Sequence, residues 1–171
     1  MSEWLCAGLQ IQLGGFDSHY PLQYGGNKMI EALVCLATAI YFEARGEPTV
    51  GQIAVGQVIM SRVADYRYPD NVCDVVKEGQ YYSWSPNTPI PNKCQFSFWC
   101  DGKDETIKDN KAYVWAEDIA WGLLNDNTLS IIDLTDGATH YHAWWVIPKW
   151  SKNLTRTVRI ENHIFYRLEM D

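Results

Sequence analysis

No apolar run in this chain approaches the 18 or so residues that a bilayer-crossing helix needs, so no segment is expected to insert into a membrane. Cations are also in deficit: 14 Lys and Arg stand against 21 Asp and Glu, a formal net charge of −7. Without a basic block nothing neutralises phosphates, which excludes a nucleic-acid binder. The same charge gives no electrostatic help toward an anionic cell envelope, so a target there must be gripped by local contacts. Gly-x-Ser-x-Gly, a Gly-rich phosphate loop and Cys-x-x-Cys are all absent. Those absences remove the serine-elbow, phosphate-loop and Cys-x-x-Cys zinc or redox readings. The N-terminus lacks a basic n-region, and its apolar run is broken by Gln10, Gln12, Gly14 and Gly15. No signal peptide is expected, and the chain reads as made in the cytoplasm.

At 171 residues the chain suits one domain with a proper core. Residues 1–27 read as an irregular arm, and 28–171 as the globular domain. Apolar side chains at Ile30, Leu33, Val34, Ala37, Ile40 and Tyr41 predict a helix over 28–45. A second is expected over 48–64 and a third over about 105–124, with Asp104-Glu105 capping the third. The Pro-rich, aromatic stretch 66–103 reads as loop, and a loop that long is more often functional than idle. Residues 137–147 alternate weakly, and 155–167 reads as two strands joined at Glu161-Asn162. The fold class is therefore α+β, mainly helical with a small C-terminal antiparallel sheet. A monomer is expected.

The segment Ala39-Ile40-Tyr41-Phe42-Glu43-Ala44-Arg45-Gly46-Glu47-Pro48 places a carboxylate in the last helical turn before a hard stop. Gly46 suits a left-handed position past the helix end, and Pro48 the first turn of the next helix. The negative end of the helix dipole and apolar neighbours both disfavour ionised Glu43, as a general acid requires. The competing reading is an ion pair with Arg45 or another cation. Glu47 is expected to cap and orient the second helix, with Arg45 as a structural neighbour.

Cys94-Gln95-Phe96-Ser97-Phe98-Trp99-Cys100-Asp101-Gly102 combines amide, hydroxyl and indole groups that suit a sugar, or else a core-plugging loop. Asp101 to Glu105 resembles a calcium loop only faintly, and helix capping explains it better. His140 and His142 at strand spacing share one face. A zinc site would need His19, His163 or a thiolate as well, so satisfied or cleft-lining histidines fit better, and no metal or cofactor is expected. Of five cysteines, Cys35 reads as a buried free thiol, while any two of Cys73, Cys94 and Cys100 could pair.

Several motifs in order carry a resemblance. They are Tyr41-Phe-Glu43-Ala-Arg45-Gly46-Glu47-Pro48, Gly51-Gln52-Ile-Ala54-Val55, Ser61-Arg62-Val63, Tyr68-Pro69-Asp70 and Val72-Cys73-Asp74-Val75-Val76. Downstream follow Cys94 to Gly102, Ala138-Thr-His140-Tyr141-His142-Ala143, Pro148-x-Trp150 and Asn162-His163-Ile164-Phe165-Tyr166. Over residues 30–167 the chain resembles the SleB-type cell-wall hydrolases, and in size a phage endolysin of that family. The resemblance implies a lysozyme-like fold and cleavage of the β-1,4 bond between N-acetylmuramic acid and N-acetylglucosamine in peptidoglycan glycan strands. It implies lytic transglycosylation to 1,6-anhydro-muramic ends with Glu43 catalytic, and holin-type release to the wall if the chain is phage-encoded. Gln95, Phe96, Ser97, Tyr141 and His142 would bind substrate, with Trp99 from the aromatic loop. Alternatives are a muramidase using water and a zinc N-acetylmuramoyl-alanine amidase using His140, His142 and His163. A non-catalytic peptidoglycan-binding module is a further one. Glu161 stands where the family usually has Gly, so the strand pair is expected to turn differently here.

Overall fold

Leu33, Leu36, Ala37, Ile40 and Tyr41 recur at helical spacing, and all five are buried along one face of α1 (Gly26–Ala44). Ile30 and Val34, counted into that stripe, lie on its exposed flank. The computed structural model describes residues 26–125 and 128–169. Most of the expected arm, with Cys6 and His19, lies outside the described residues. α1 closes through a tight turn in which the Glu47 N–H donates to Ala44 O at 2.9 Å. Gly46 does not take the expected left-handed conformation, because a turn of this kind admits ordinary φ values.

α2 (Thr49–Ala64) follows with Pro48 at its N-cap. It is wedged between α1 and α4 (Asn110–Leu124) at Gly56, where an added Cβ would lie 2.5 Å from Leu123 Cδ1 and 3.0 Å from Ile40 Cδ1. α4 starts later than expected. Asp109 caps it by accepting from the Ala112 N–H, whereas Asp104 closes its own turn onto Thr106. After α4 comes the short α5 (Thr128–Ile131).

The segment expected as loop holds four elements. α3 (Val72–Val76) packs on α1, and Cys73 is disulfide-bonded to Cys35. Cys35 is thus not a free thiol: it sits at the flank of the helical stripe, half-buried, where α3 reaches it. A hairpin follows, β1 (Gly79–Tyr82) with β2 (Ser85–Cys94). β2 accommodates Pro86, Pro89 and Pro91 because both strands of a two-stranded ribbon have a free edge, and its register slips twice. A 3-10 turn, Ser97–Cys100, ends in the second disulfide, Cys94–Cys100.

The C-terminal sheet has the order β3-β5-β4, all antiparallel, from β3 (His140–Ala143), β4 (Thr155–Ile160) and β5 (His163–Arg167). Phe165 on its inner face packs with Ala54 and Val58 of α2. The β4–β5 turn places Glu161 at φ 49°. A glutamate therefore adopts the positive φ that glycine would take freely, and the strand pair keeps a two-residue turn. Among the described residues no helix is long and apolar enough to cross a membrane.

Candidate active site

Glu43 lies in the last turn of α1, half-buried, one residue before the helix ends. Two distant segments converge on it. From β3, the Tyr141 hydroxyl donates to Glu43 Oε2 at 3.0 Å. From the other side comes the 3-10 turn, whose Phe98 and Ser97 amides find no partner within so short a helix and donate to the carboxylate. Stacking of Phe98 on Phe42, 5.1 Å between ring centres, holds that turn against α1.

Burial raises the Glu43 pKa above its ordinary value. Hydrogen bonds from Tyr141, Phe98 and Ser97 offset part of the rise, and the charge of Asp101 adds to it. Among the described residues no cation forms an ion pair with Glu43. Arg45 instead lays its guanidinium over the rings of Tyr41 (4.8 Å) and Phe42 (5.8 Å). Tyr141 itself titrates well above its ordinary value, through burial and the neighbouring Glu43 charge, so it remains a donor.

The carboxylates nearest in sequence or in field are engaged elsewhere. Glu47 accepts from the Asn162 side chain at 3.0 Å and from its backbone N–H at 3.3 Å, which ties the α1–α2 turn to the sheet. Asp101 accepts from the Lys103 N–H at 2.9 Å and pairs with the Lys103 ammonium at 3.3 Å.

The substrate-binding candidates separate in space. Ser97 is exposed beside the acid, and Gln95 is exposed just before it. Phe96 is a correction: it is 2% exposed and packed in the core, so it offers no face to a ligand. His142 is another. Strand alternation turns it away from Tyr141, onto the outer face of the sheet. There its Nε2 lies 3.0 Å from the Tyr166 hydroxyl and its ring faces Trp150. Trp99 donates from Nε1 to the Tyr81 hydroxyl at 3.1 Å. It lines a groove of about 580 Å³ with Tyr81, Lys77 and Asn87, whose walls do not include Glu43.

Alternation also dismantles the proposed zinc set. His163 pairs with Ala143 and lies on the inner face against Tyr141, whereas His140 and His142 lie on the outer one. The three imidazoles do not converge.

Sequence reasoning missed Arg62. Its Nε donates to Thr139 O at 2.7 Å, Nη1 lies 3.7 Å from Glu78 Oε2, and its guanidinium faces Tyr68 and Phe96. One buried cation thereby braces both the approach to β3 and the residue that precedes the 3-10 turn. The available signal was spacing: Arg62 follows Val58 and Ile59 by four and three positions, on the buried face of α2.

A helical core, an acid at a helix end and a small antiparallel sheet that reaches over to it define a lysozyme-like α+β enzyme. The chain belongs to the cell wall hydrolase family, matching it over residues 46–166, and is of the SleB type. Glu43 lies just ahead of that match. A spore cortex-lytic enzyme of Halalkalibacterium halodurans is 30% identical over 136 residues, which cover 76% of this chain and 33% of that protein. The chain therefore spans about a third of that relative. The catalytic domain of the germination-specific lytic transglycosylase SleB from Bacillus anthracis superposes with a TM-score of 0.60 at 26% identity, covering 86% of this chain and 100% of that domain. The SleB catalytic domain of Bacillus cereus gives 0.55, also at 26% identity, over 90% of this chain and 100% of that domain.

Proposed function

We propose that the protein cleaves the β-1,4 bond between N-acetylmuramic acid and N-acetylglucosamine in peptidoglycan, as a lytic transglycosylase with Glu43 as general acid and base. The observation that carries this reading is a half-buried acid, Glu43, whose neighbouring carboxylates, Glu47 and Asp101, are both occupied. Most retaining and inverting glycosidases use a second carboxylate as nucleophile or base.

Protonated Glu43 gives its proton to the glycosidic oxygen as the bond from muramic C1 breaks. The resulting carboxylate then takes the proton of the muramic 6-hydroxyl as O6 bonds to C1. No water is consumed. The substrate's acetamido oxygen can meet the charge that develops at C1, as in substrate-assisted glycosidases. Tyr141 and the two amides hold the carboxylate when it is ionised; burial favours it when it is protonated.

Mass spectrometry of digested sacculi tests the reading. The expected products are muropeptides about 18 Da, one water, lighter than hydrolysis products, and Glu43→Gln should release none. Reducing ends would make water the acceptor, and free stem peptides would overturn glycan cleavage altogether.

A further inference from the structure

Between Asp136 and Glu161 this acidic chain has no carboxylate, yet it carries Lys149, Lys152, Arg156 and Arg159. Register assigns the two arginines to one face. Arg156 and His140 both pair with Tyr166, and Arg159 and His142 both pair with Ile164, in two adjacent rows. This is the outer face, opposite the one that packs on α2 through Phe165 and reaches Glu43 through Tyr141. The two lysines reach the same face because Trp150, between them in the 3-10 segment Lys149–Asn153, packs on the rings of His140 (5.2 Å), His142 (5.6 Å) and Tyr166 (5.5 Å). All four cations are exposed, and none forms an ion pair among the described residues. The nearest carboxylates flank the face: Asp136 and Glu169 are bound to Arg167, Glu47 to Asn162, and Glu161 sits in the hairpin turn.

At the edge of this face, four consecutive large apolar residues meet solvent: Trp144 49%, Trp145 62%, Val146 46% and Ile147 79% exposed. The loop is held in place. The Trp144 N–H donates to Asn162 O and the Val146 N–H to Ala143 O, each at 2.9 Å, and the Arg159 guanidinium covers the Trp144 ring at 5.2 Å. A contiguous apolar patch on a soluble fold marks a contact surface. Valine and isoleucine neither stack on sugars nor pair with anions; they suit acyl chains. Indoles suit the headgroup boundary, and lysine and arginine suit lipid phosphates.

The geometry points to peripheral docking of this face on an anionic phospholipid bilayer. Trp145, Val146 and Ile147 enter the headgroup–acyl boundary, while Lys149, Lys152, Arg156 and Arg159 meet the phosphates. A net charge of −7 hides this surface, because the fold gathers four cations on one side. Docking there leaves Glu43, on the other side of β3, open to the wall. The inference does not depend on the chemistry assigned to Glu43.

Flotation of the full chain with phosphatidylcholine vesicles, with and without phosphatidylglycerol, is the test. Binding is expected only with phosphatidylglycerol and should weaken as salt rises. Lys149→Gln with Lys152→Gln should weaken it roughly 30-fold, about fivefold for each cation. Val146→Ser with Ile147→Ser should weaken it at least about tenfold by removing buried apolar area. Both variants should keep the parental melting temperature and sacculus digestion. No phosphatidylglycerol-dependent binding, or binding that neither variant changes, would overturn the proposal. So would loss of sacculus binding with vesicle binding intact, which would assign the face to wall polymers.

Discussion

The Tyr141 hydroxyl donates to Glu43 across 98 residues of sequence, at 3.0 Å. This bond lowers the pKa of an acid that burial has raised, so it both aims the carboxylate and tempers it. Tyr141→Phe should cut kcat/KM roughly 10–100-fold, the range for loss of a hydrogen bond to a charged group. A general acid works only while protonated, so activity falls as pH rises through its pKa. Removing Tyr141 lifts that pKa, and the alkaline limb of the pH–rate profile should move to higher pH. A limb that moves down would contradict the assignment.

Ionised Glu43 is a cost to the fold at neutral pH. A raised carboxyl contributes stability that is full below its unfolded value of 4.5 and is lost as pH rises through the folded value. Glu43→Gln should therefore melt at or above the parental temperature at pH 7. That gain should vanish below about pH 4.5. Calorimetry at the two pH values checks both.

His140 titrates in the opposite sense. Burial, with Arg62 and Arg67 nearby, lowers its pKa from 6.5 to about 4. Its contribution is complete above 6.5 and lost as pH falls from there toward 4. His163, also lowered by burial, acts in the same direction. His140→Gln should flatten the decline of the urea midpoint between those pH values; an unchanged slope would show that His140 is not a source of it.

Arg62→Met leaves the buried Oε2 of Glu78 without its cation and Thr139 O without its donor. A loss of about 3 kcal/mol is expected in chemical denaturation. Arg62→Lys should rescue little of it, since an ammonium can neither fork between Thr139 and Glu78 nor stack flat on Tyr68 and Phe96.

Glu161 holds φ 49° at the first position of a two-residue hairpin turn. Glu161→Gly should stabilise the protein by roughly 0.5–1 kcal/mol, because relief of the left-handed strain exceeds the added chain entropy. The thermal midpoint reads this directly.

Much of this architecture was readable along the chain. α1 and α2 announced themselves through the spacing of Leu33, Ala37 and Ile40 and of Ala54 and Val58, and the final hairpin through its two-residue turn. The hairpin over 79–94 did not. Three prolines signal a breaker in any local reading, and only a ribbon with two free edges makes them harmless. Cys35 misled for a related reason: helical spacing gives its own face but not the neighbour that α3 brings to it.

Local sequence determined that an acid, Glu43, would end an apolar helix at a sharp turn, and that the family motifs would follow it in order along the chain. Helix periodicity and turn chemistry act over a few residues, so they are written there. Tertiary structure alone decided which motif residues meet that acid. Tyr141 reaches it while His142, its neighbour on β3, faces the other way; Ser97 lies beside it while Phe96 is buried. Adjacent residues parted company because a strand side chain's destination depends on which face packs on α2, and that is set by contacts about a hundred positions away in sequence.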